Sequence, residues 1–369
     1  MEPGLTAVAM SGGVDSSVAA ALLARAGRPV VGFSLKLVDR LAGETERYGR
    51  CCSPDDFRDA RRVADRLGFP HYVVDFEDEF ERHVVRSFAD DYAVGRTPSP
   101  CIRCNTFVKF GALLGRAAAV GAERVATGHY AILERDARSG RTVLRRAVDE
   151  DKDQSYFLFD LSDEQRAHAE FPLGRMTKAE VREAARAAEL RTADKPESMD
   201  LCFVAEGETY REFLRRSGLA AEDAPGEIVD AAGRVLGTHD GVSGFTVGQR
   251  RGLGVASDRA LYVLRVEAAA GRIVVGDRAD LAADRCSLER VRWIPFDRPN
   301  GSIRADVRIR STHAGAPATI RDLGDGRAEV RFDDAQRALT PGQAAVAYDG
   351  DRVLGGGWIA TENQGTAVR

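Results

Sequence analysis

Short apolar runs alternate with longer amphipathic stretches through the first 205 residues. Leu5 to Met10, Val30 to Leu35, His71 to Phe76 and Arg124 to Thr127 read as strands, each brief and bounded by turn residues. Between them, Val18-Ala19-Ala20-Ala21-Leu22-Leu23 is a strong helix former. Ser53-Pro54-Asp55-Asp56 opens another helix, with an N-cap, a proline at the first position and acids in the first turn. Phe57, Ala60, Val63, Ala64 and Leu67 share one face of that helix, and Gly68 ends it. Glu77 to Val94 and Val108 to Val120 are expected to be helical, and Thr177-Lys178-Ala179-Glu180 is a capping box for a helix reaching about Leu190. This alternation predicts an α/β fold with a doubly wound parallel sheet, whose ligands sit at the C-terminal strand ends.

The texture changes near Glu206. After a short helix over Tyr210 to Arg215, glycines recur from Gly226 to Gly254, which suggests a small turn-rich module. Beyond Gly276 the pattern alternates with period two. Val307-Arg308-Ile309-Arg310, Ala328 to Phe332 after the turn Gly324-Asp325-Gly326, Ala344 to Tyr348 and Val353 to Ile359 predict a C-terminal β-barrel. The expected domains are 1–205, 206–275 and 276–369.

The hydrophobic share of 44% and charged share of 30% over 369 residues suit a globular protein with an ample core. No apolar run approaches ~18 residues, and no basic segment precedes an apolar one at the N-terminus. A cytoplasmic protein with no membrane partner is expected. The net charge of −4 means that any RNA surface is a local patch. Five lysines (36, 109, 152, 178 and 195) stand against 48 arginines, so each lysine is a position of interest.

Ser11-Gly12-Gly13-Val14-Asp15-Ser16-Ser17 joins the first strand to the first helix. Glycines that allow positive φ and close backbone approach, followed by the free N–H groups of a helix start, cradle phosphate. Ser11, Ser16 and Ser17 add donors, and Asp15 is placed to orient Mg²⁺ or a nucleophile. Gly128 and His129, at the end of the fourth strand, are expected in the same crevice. Gly95 to Asn105 contains two prolines two residues apart and is expected to be an exposed loop. It carries Cys101-Ile102-Arg103-Cys104, and Cys202 lies on a second polar loop. Buried inert thiols, a structural zinc site, and redox or sulfur-transfer chemistry all remain open for these three. Cys51-Cys52 reads as an inert pair and Cys286 as core.

The seven-residue loop resembles the PP-loop of the ATP pyrophosphatases, not a Walker loop. That likeness implies an adenylating enzyme that uses ATP and Mg²⁺. Further blocks narrow it: Arg96-Thr97-Pro98, Cys104-Asn105 with Lys109-Phe110, Ala126-Thr127-Gly128-His129-Tyr130, Lys152-Asp153-Gln154-Ser155-Tyr156-Phe157-Leu158, Cys202-Phe203, Gly244 to Gly252 and Pro341-Gly342-Gln343. Their order along the chain resembles the tRNA-specific 2-thiouridylase family. The resemblance implies that Ala9, Met10, Ser11, Gly12, Gly13, Val14, Asp15, Ser16, Leu35 and Gly128 hold ATP. Cys104 matches the nucleophile and Cys202 the persulfide carrier. Ser99, Pro100 and Cys101 match the segment that meets the target base. His129, Lys152, Asp153, Gln154, Arg310, Ser311 and Gln343 match positions that touch tRNA. This chain has Ser99-Pro100-Cys101 where the family often has Asn-Pro-Asp, and Ser311 where an aromatic is expected.

The implied reaction adenylates the C2 oxygen of the wobble uridine in a tRNA anticodon arm and then delivers persulfide sulfur. It ends with Cys104 and Cys202 disulfide-bonded and calls for a sulfur-donor protein (a persulfide carrier or cysteine desulfurase) and a reductant. One alternative holds an iron–sulfur cluster on Cys101, Cys104 and Cys202. Others are an amidating PP-loop synthetase and a non-catalytic RNA-binding or metal-storage protein.

Overall fold

β1 (Leu5–Ala9) is the central strand of a five-stranded parallel sheet. Its neighbours are β2 (Val30–Lys36), β3 (His71–Asp75), β4 (Ala122–Ala126) and β7 (Ala169–Glu170), in the order β3-β2-β1-β4-β7. Ala7 and Val8 are wholly buried, as a strand covered on both faces requires. The following helix α1 (Val14–Arg25) buries Val18, Ala19, Ala20 and Leu23 against the same core. Helix α2 (Pro54–Leu67) carries the expected capping box: the Asp56 N–H donates to Ser53 Oγ and the Ser53 N–H to Asp56 Oδ2, each at 3.1 Å. Gly68, at φ 78°, ends it. An antiparallel hairpin, β5 (Ala131–Arg135) with β6 (Thr142–Arg146), has no counterpart among the expected elements, because its strands are short and arginine-rich.

The computed structural model describes residues 4–38, 53–137, 139–196, 201–205, 207–219 and 224–361. The chain forms two units. One comprises Met1–Val84, Cys101–Phe213 and Asp351–Val353; the other comprises Val85–Pro100, Leu214–Gly350 and Leu354–Arg369. The Cys51-Cys52 pair lies outside the described residues.

In the second unit, β8 (Gly226–Asp230), β9 (Val235–His239), β10 (Tyr262–Glu267) and β11 (Arg272–Gly276) form a sheet in the order β10-β11-β8-β9. Six further strands follow: β12 (Ala282–Trp293), β13 (Ser302–Arg308), β14 (Ala316–Gly324), β15 (Arg327–Arg337), β16 (Ala344–Asp349) and β17 (Arg352–Ile359). They pair in the order β12-β15-β14-β13-β16-β17, and β17 returns to β12 through Leu288 opposite Ile359, closing a barrel. Inward residues such as Val307, Ala318, Val330 and Phe332 fill it, as the period-two pattern predicts. Cys286 is part of this core, and burial pushes its thiol up to about 12. β13 ends at Arg308, so Arg310 and Ser311 lie in the turn beyond the strand, not on it.

Two expectations about the Cys101–Cys104 region are corrected. Pro100–Arg103 is a helical turn, continued by a π-helical segment over Cys104–Ala112 and an α-helix over Leu113–Ala119. Both prolines stand ahead of the first turn or open it, where a missing N–H costs nothing. Cys104 is therefore on a helix and buried, while Cys101 is exposed.

Candidate nucleotide and thiol site

The turn after β1 is built by one obligatory glycine. Gly12 has φ +71°, and a Cβ there would stand 2.4 Å from the Asp56 carbonyl oxygen. Gly13 is extended (φ −91°, ψ 166°), so the expectation of positive φ at both glycines holds for Gly12 alone. As N-cap of α1, Gly13 offers no side-chain hydrogen bond, leaving the first N–H groups of the helix open to an anion. Ser16 and Ser17 hydroxyls donate to the Gly13 carbonyl at 3.2 and 2.8 Å, and the Ser11 N–H donates to Ser16 Oγ at 3.2 Å. Gly128, at the end of β4, lets this turn come close: a Cβ there would meet the Asp15 carbonyl carbon and the Ser16 nitrogen at 2.7 Å.

Together these residues wall a crevice of about 220 Å³. Ala9, Met10, Ser11, Asp15, Ser16, Leu35, Gly128, His129 and Gln154 line it, as do Leu37, Phe57, Lys109 and Thr127. The cradle that Gly12 and Gly128 leave open, with uncapped N–H groups beside it, suits a nucleotide phosphate.

Two lysines brace the turn. Lys178 Nζ donates to both Asp15 oxygens, at 2.8 and 2.9 Å, and Tyr130 Oη donates to Asp15 Oδ1 at 2.7 Å. Lys195 Nζ donates to the Gly12 carbonyl (3.1 Å), Asp56 Oδ1 (2.7 Å) and Asp59 Oδ2 (2.7 Å). Burial alone would lower the Lys195 ammonium, but the bonds to Asp56 and Asp59 outweigh it and hold it above its ordinary value. Neither lysine was assigned to the site from sequence; the scarcity of lysine was the available signal.

His129 is buried, with Nδ1 2.7 Å from Thr127 Oγ1 and its ring edge-on to Phe171 at 5.8 Å. Burial first, and the Lys109 charge second, hold its pKa well below 6.5. Gln154 is locked onto the Tyr130 backbone: its N–H donates to the Tyr130 carbonyl at 2.8 Å and its Oε1 accepts from the Tyr130 N–H at 2.9 Å. The Asp153 carboxylate accepts from the Ala147 and Ser155 N–H groups and from Ser155 Oγ, shaping the turn after Lys152.

On the cysteine-bearing helix, Arg103 Nε donates to the His83 carbonyl at 2.7 Å and its guanidinium stands 5.1 Å from the Phe107 ring, which stacks on His83. Asn105 Nδ2 donates to the Phe157 carbonyl at 3.1 Å. Cys202 is half-buried, and the next residue, Phe203, packs on Phe80 and Phe213. Among the described residues no group of three or more His, Cys, Asp or Glu side chains is arranged to hold a metal. Cys101, Cys104 and Cys202 are thus not gathered as such a group in this structure.

In the second unit, Arg96-Thr97-Pro98 meets Pro341-Gly342-Gln343. The Thr97 N–H donates to the Pro341 carbonyl at 2.8 Å, and Gln343 Nε2 donates to the Thr97 and Pro98 carbonyls at 3.2 and 3.1 Å. Gln343 thereby anchors the chain that leads into Ser99 and Pro100. A groove of about 560 Å³ nearby is lined by Arg278, Arg310, Arg337 and Gln343. The Ser311 carbonyl accepts from Arg308 Nη2. Among the described residues no helix is long and apolar enough to cross a membrane.

Fold and crevice define a PP-loop protein of the HUP-domain class, extended by β modules. Residues 5–206 match the family model described as a tRNA methyl transferase HUP domain, 211–277 its PRC-barrel domain and 283–359 an aminomethyltransferase beta-barrel domain. The tRNA-specific 2-thiouridylase MnmA of Solibacter usitatus (strain Ellin6076) is 51% identical, covering 96% of this chain and 98% of that protein. Those of Geotalea uraniireducens (strain Rf4) and Acidobacterium capsulatum are 50% and 48% identical, the first covering 98% of this chain and 96% of the relative, the second 96% and 98%. The chain belongs to the tRNA-specific 2-thiouridylase MnmA family.

Proposed function

We propose that this protein is a cytoplasmic tRNA 2-thiouridylase. ATP occupies the crevice, with its phosphates on the open N–H groups of α1 and on Ser11 and Ser16. The C2 oxygen of the anticodon wobble uridine attacks the α-phosphorus, pyrophosphate leaves, and the adenylated carbon becomes open to sulfur. A persulfide on Cys202 supplies that sulfur. Cys104 is the nucleophile that releases it, ending disulfide-bonded to Cys202. Mg²⁺ would neutralise the leaving pyrophosphate. A persulfide-carrying protein and a reductant complete the cycle. Within the expected domains, 1–205 performs the chemistry, while 206–275 and 276–369 hold the RNA through Arg310, Ser311 and neighbouring groups.

One observation carries this reading: the π-helical segment that begins at the buried Cys104 also places Lys109 in the wall of the phosphate crevice. Phosphate chemistry and thiol chemistry thus share one element, which an amidating synthetase has no use for. The test is incubation with ATP, Mg²⁺, unmodified tRNA and a persulfide source, followed by mass analysis of the nucleosides. Wild type exchanges oxygen for sulfur, a change that mass separates from an added methyl. Cys104→Ala and Cys202→Ala abolish the exchange. Product formed equally by both variants would refute the reading.

A further inference from the structure

The crevice holds one side chain whose charge the protein itself leaves unused. Lys109 is half-buried, lines the crevice, and makes no hydrogen bond or ion pair among the described residues. The other two lysines of the site are committed: Lys178 to Asp15, Lys195 to Asp56, Asp59 and the Gly12 carbonyl. Asp15, the acid lining the crevice, is matched by Lys178. His129, the other basic group there, is kept neutral by burial and by Lys109 itself. Among the described residues the crevice therefore faces its ligand with one uncommitted positive charge.

A partly desolvated ammonium with no partner is costly to the folded protein, and an incoming anion repays that cost. The backbone supports the placement. In π-helical winding one hydrogen-bond step spans five residues. Cys104 and Lys109 are five apart, one such step along the segment. π-Bulges cluster at functional sites.

We propose that Lys109 is a catalytic residue of the adenylation step, its ammonium set against the α-phosphate of ATP. This inference rests on the function proposed above. In that step the bond from the uridine O2 to the α-phosphorus forms. The bond to the bridging oxygen breaks, its electron pair leaves with pyrophosphate, and the uridine N3 proton passes to solvent. Negative charge grows on the α-phosphoryl oxygens as this happens, and a fixed cation there is worth more in the transition state than in the ground state.

The experiment compares wild type, Lys109→Met and Lys109→Arg with ATP, Mg²⁺ and tRNA, measuring pyrophosphate release. In parallel, the alkylation rate of Cys104 is followed against pH by peptide mass mapping. Loss of one preorganised electrostatic group costs about 10²–10³ in rate. Lys109→Met is expected to lower kcat for pyrophosphate release by at least about 100-fold and Lys109→Arg to recover part of it, while the thermal midpoint of Lys109→Met does not fall, because no protein partner is lost and an unpaired charge is removed. Release within threefold of wild type overturns the inference. So does a variant that releases pyrophosphate normally but shifts the Cys104 alkylation profile, because Lys109 would then serve the thiol. If wild type itself releases no pyrophosphate, the proposed function fails, and Lys109 is judged by ATP affinity alone. A tenfold weakening in Lys109→Met then supports its contact with phosphate, and equal affinity overturns it.

Discussion

Gly12 and Gly13 look equivalent in the sequence, yet the folded chain uses them differently. The strand, glycine turn and helix of the loop were legible from residue types in order; which glycine carries the turn was not, because that depends on where α2 passes. The Asp56 backbone does not adjoin the loop in sequence but occupies the space a Gly12 side chain would need. Gly12→Ala is expected to destabilise by at least about 2 kcal/mol, from left-handed strain and the backbone clash, and to abolish ATP binding. Gly13→Ala, whose Cβ would meet nothing nearer than Ser11 Oγ at 3.6 Å, should stay within about 0.5 kcal/mol; denaturant unfolding of both variants checks the contrast. The pairing of Lys178 with Asp15 was equally hidden, since 163 positions separate them. Lys178→Met leaves Asp15 with Tyr130 alone and turns an uncompensated carboxylate toward incoming phosphate. Pyrophosphate release should fall at least tenfold, and an undiminished rate would show that Asp15 needs no counter-ion.

At the scale of elements, strands and helices of the parallel sheet follow the apolar periodicity closely, whereas the Cys101–Cys104 region was misjudged. Prolines forbid a helix only from inside it, and Pro98 and Pro100 stand where helices begin. No periodicity announces a π-helical segment, whose winding depends on packing. The end of β4 has its own consequence for pH. His129 packs against Phe110 and Phe171, and burial, with the Lys109 charge second, holds the imidazole neutral. Its pKa is lowered in the folded state from an ordinary 6.5. Above that value both states are neutral and pH has no effect through this residue. Below it the unfolded chain takes up a proton that the folded protein refuses, so stability falls with falling pH. His129→Asn should flatten this decline between about pH 6.5 and 5, as read from unfolding midpoints. An unaltered slope would place the acid sensitivity on His71, His83 or His313, which are also lowered by burial.

The whole molecule carries a net charge of −4, and many arginines are held in ion pairs, such as Arg304 with Asp333 and Arg298 with Asp322. Under the proposed function, RNA is therefore held by local grooves. With Arg278, Arg310 and Arg337 lining one groove, the logarithmic salt slope of tRNA affinity is expected to reflect on the order of three or four phosphates; a slope near eight would mean a far larger basic surface. The barrel was legible from its alternation, but the membership of Val85–Pro100 in the second unit was not. That segment is secured by Thr97 to Pro341, by Gln343 to Thr97 and Pro98, and by Arg96 to Glu289 at 3.2 Å. A chain truncated after Arg216 loses all of these partners, and trypsin should cut it after Arg96 at least tenfold faster than the full chain.

The same anchor sets a clock on biosynthesis. Gln343 follows Thr97 by 246 positions, and ribosomes add about 5–20 residues per second, so roughly 12–50 s pass between the two emerging. Throughout that interval the irregular stretch around Thr97 and Pro98 lacks the amide that will hold it. A nascent chain thus acquires its phosphate loop early and the mooring of Thr97 and Pro98 last. Prematurely terminated products would carry the phosphate loop without the amide that holds Thr97 and Pro98.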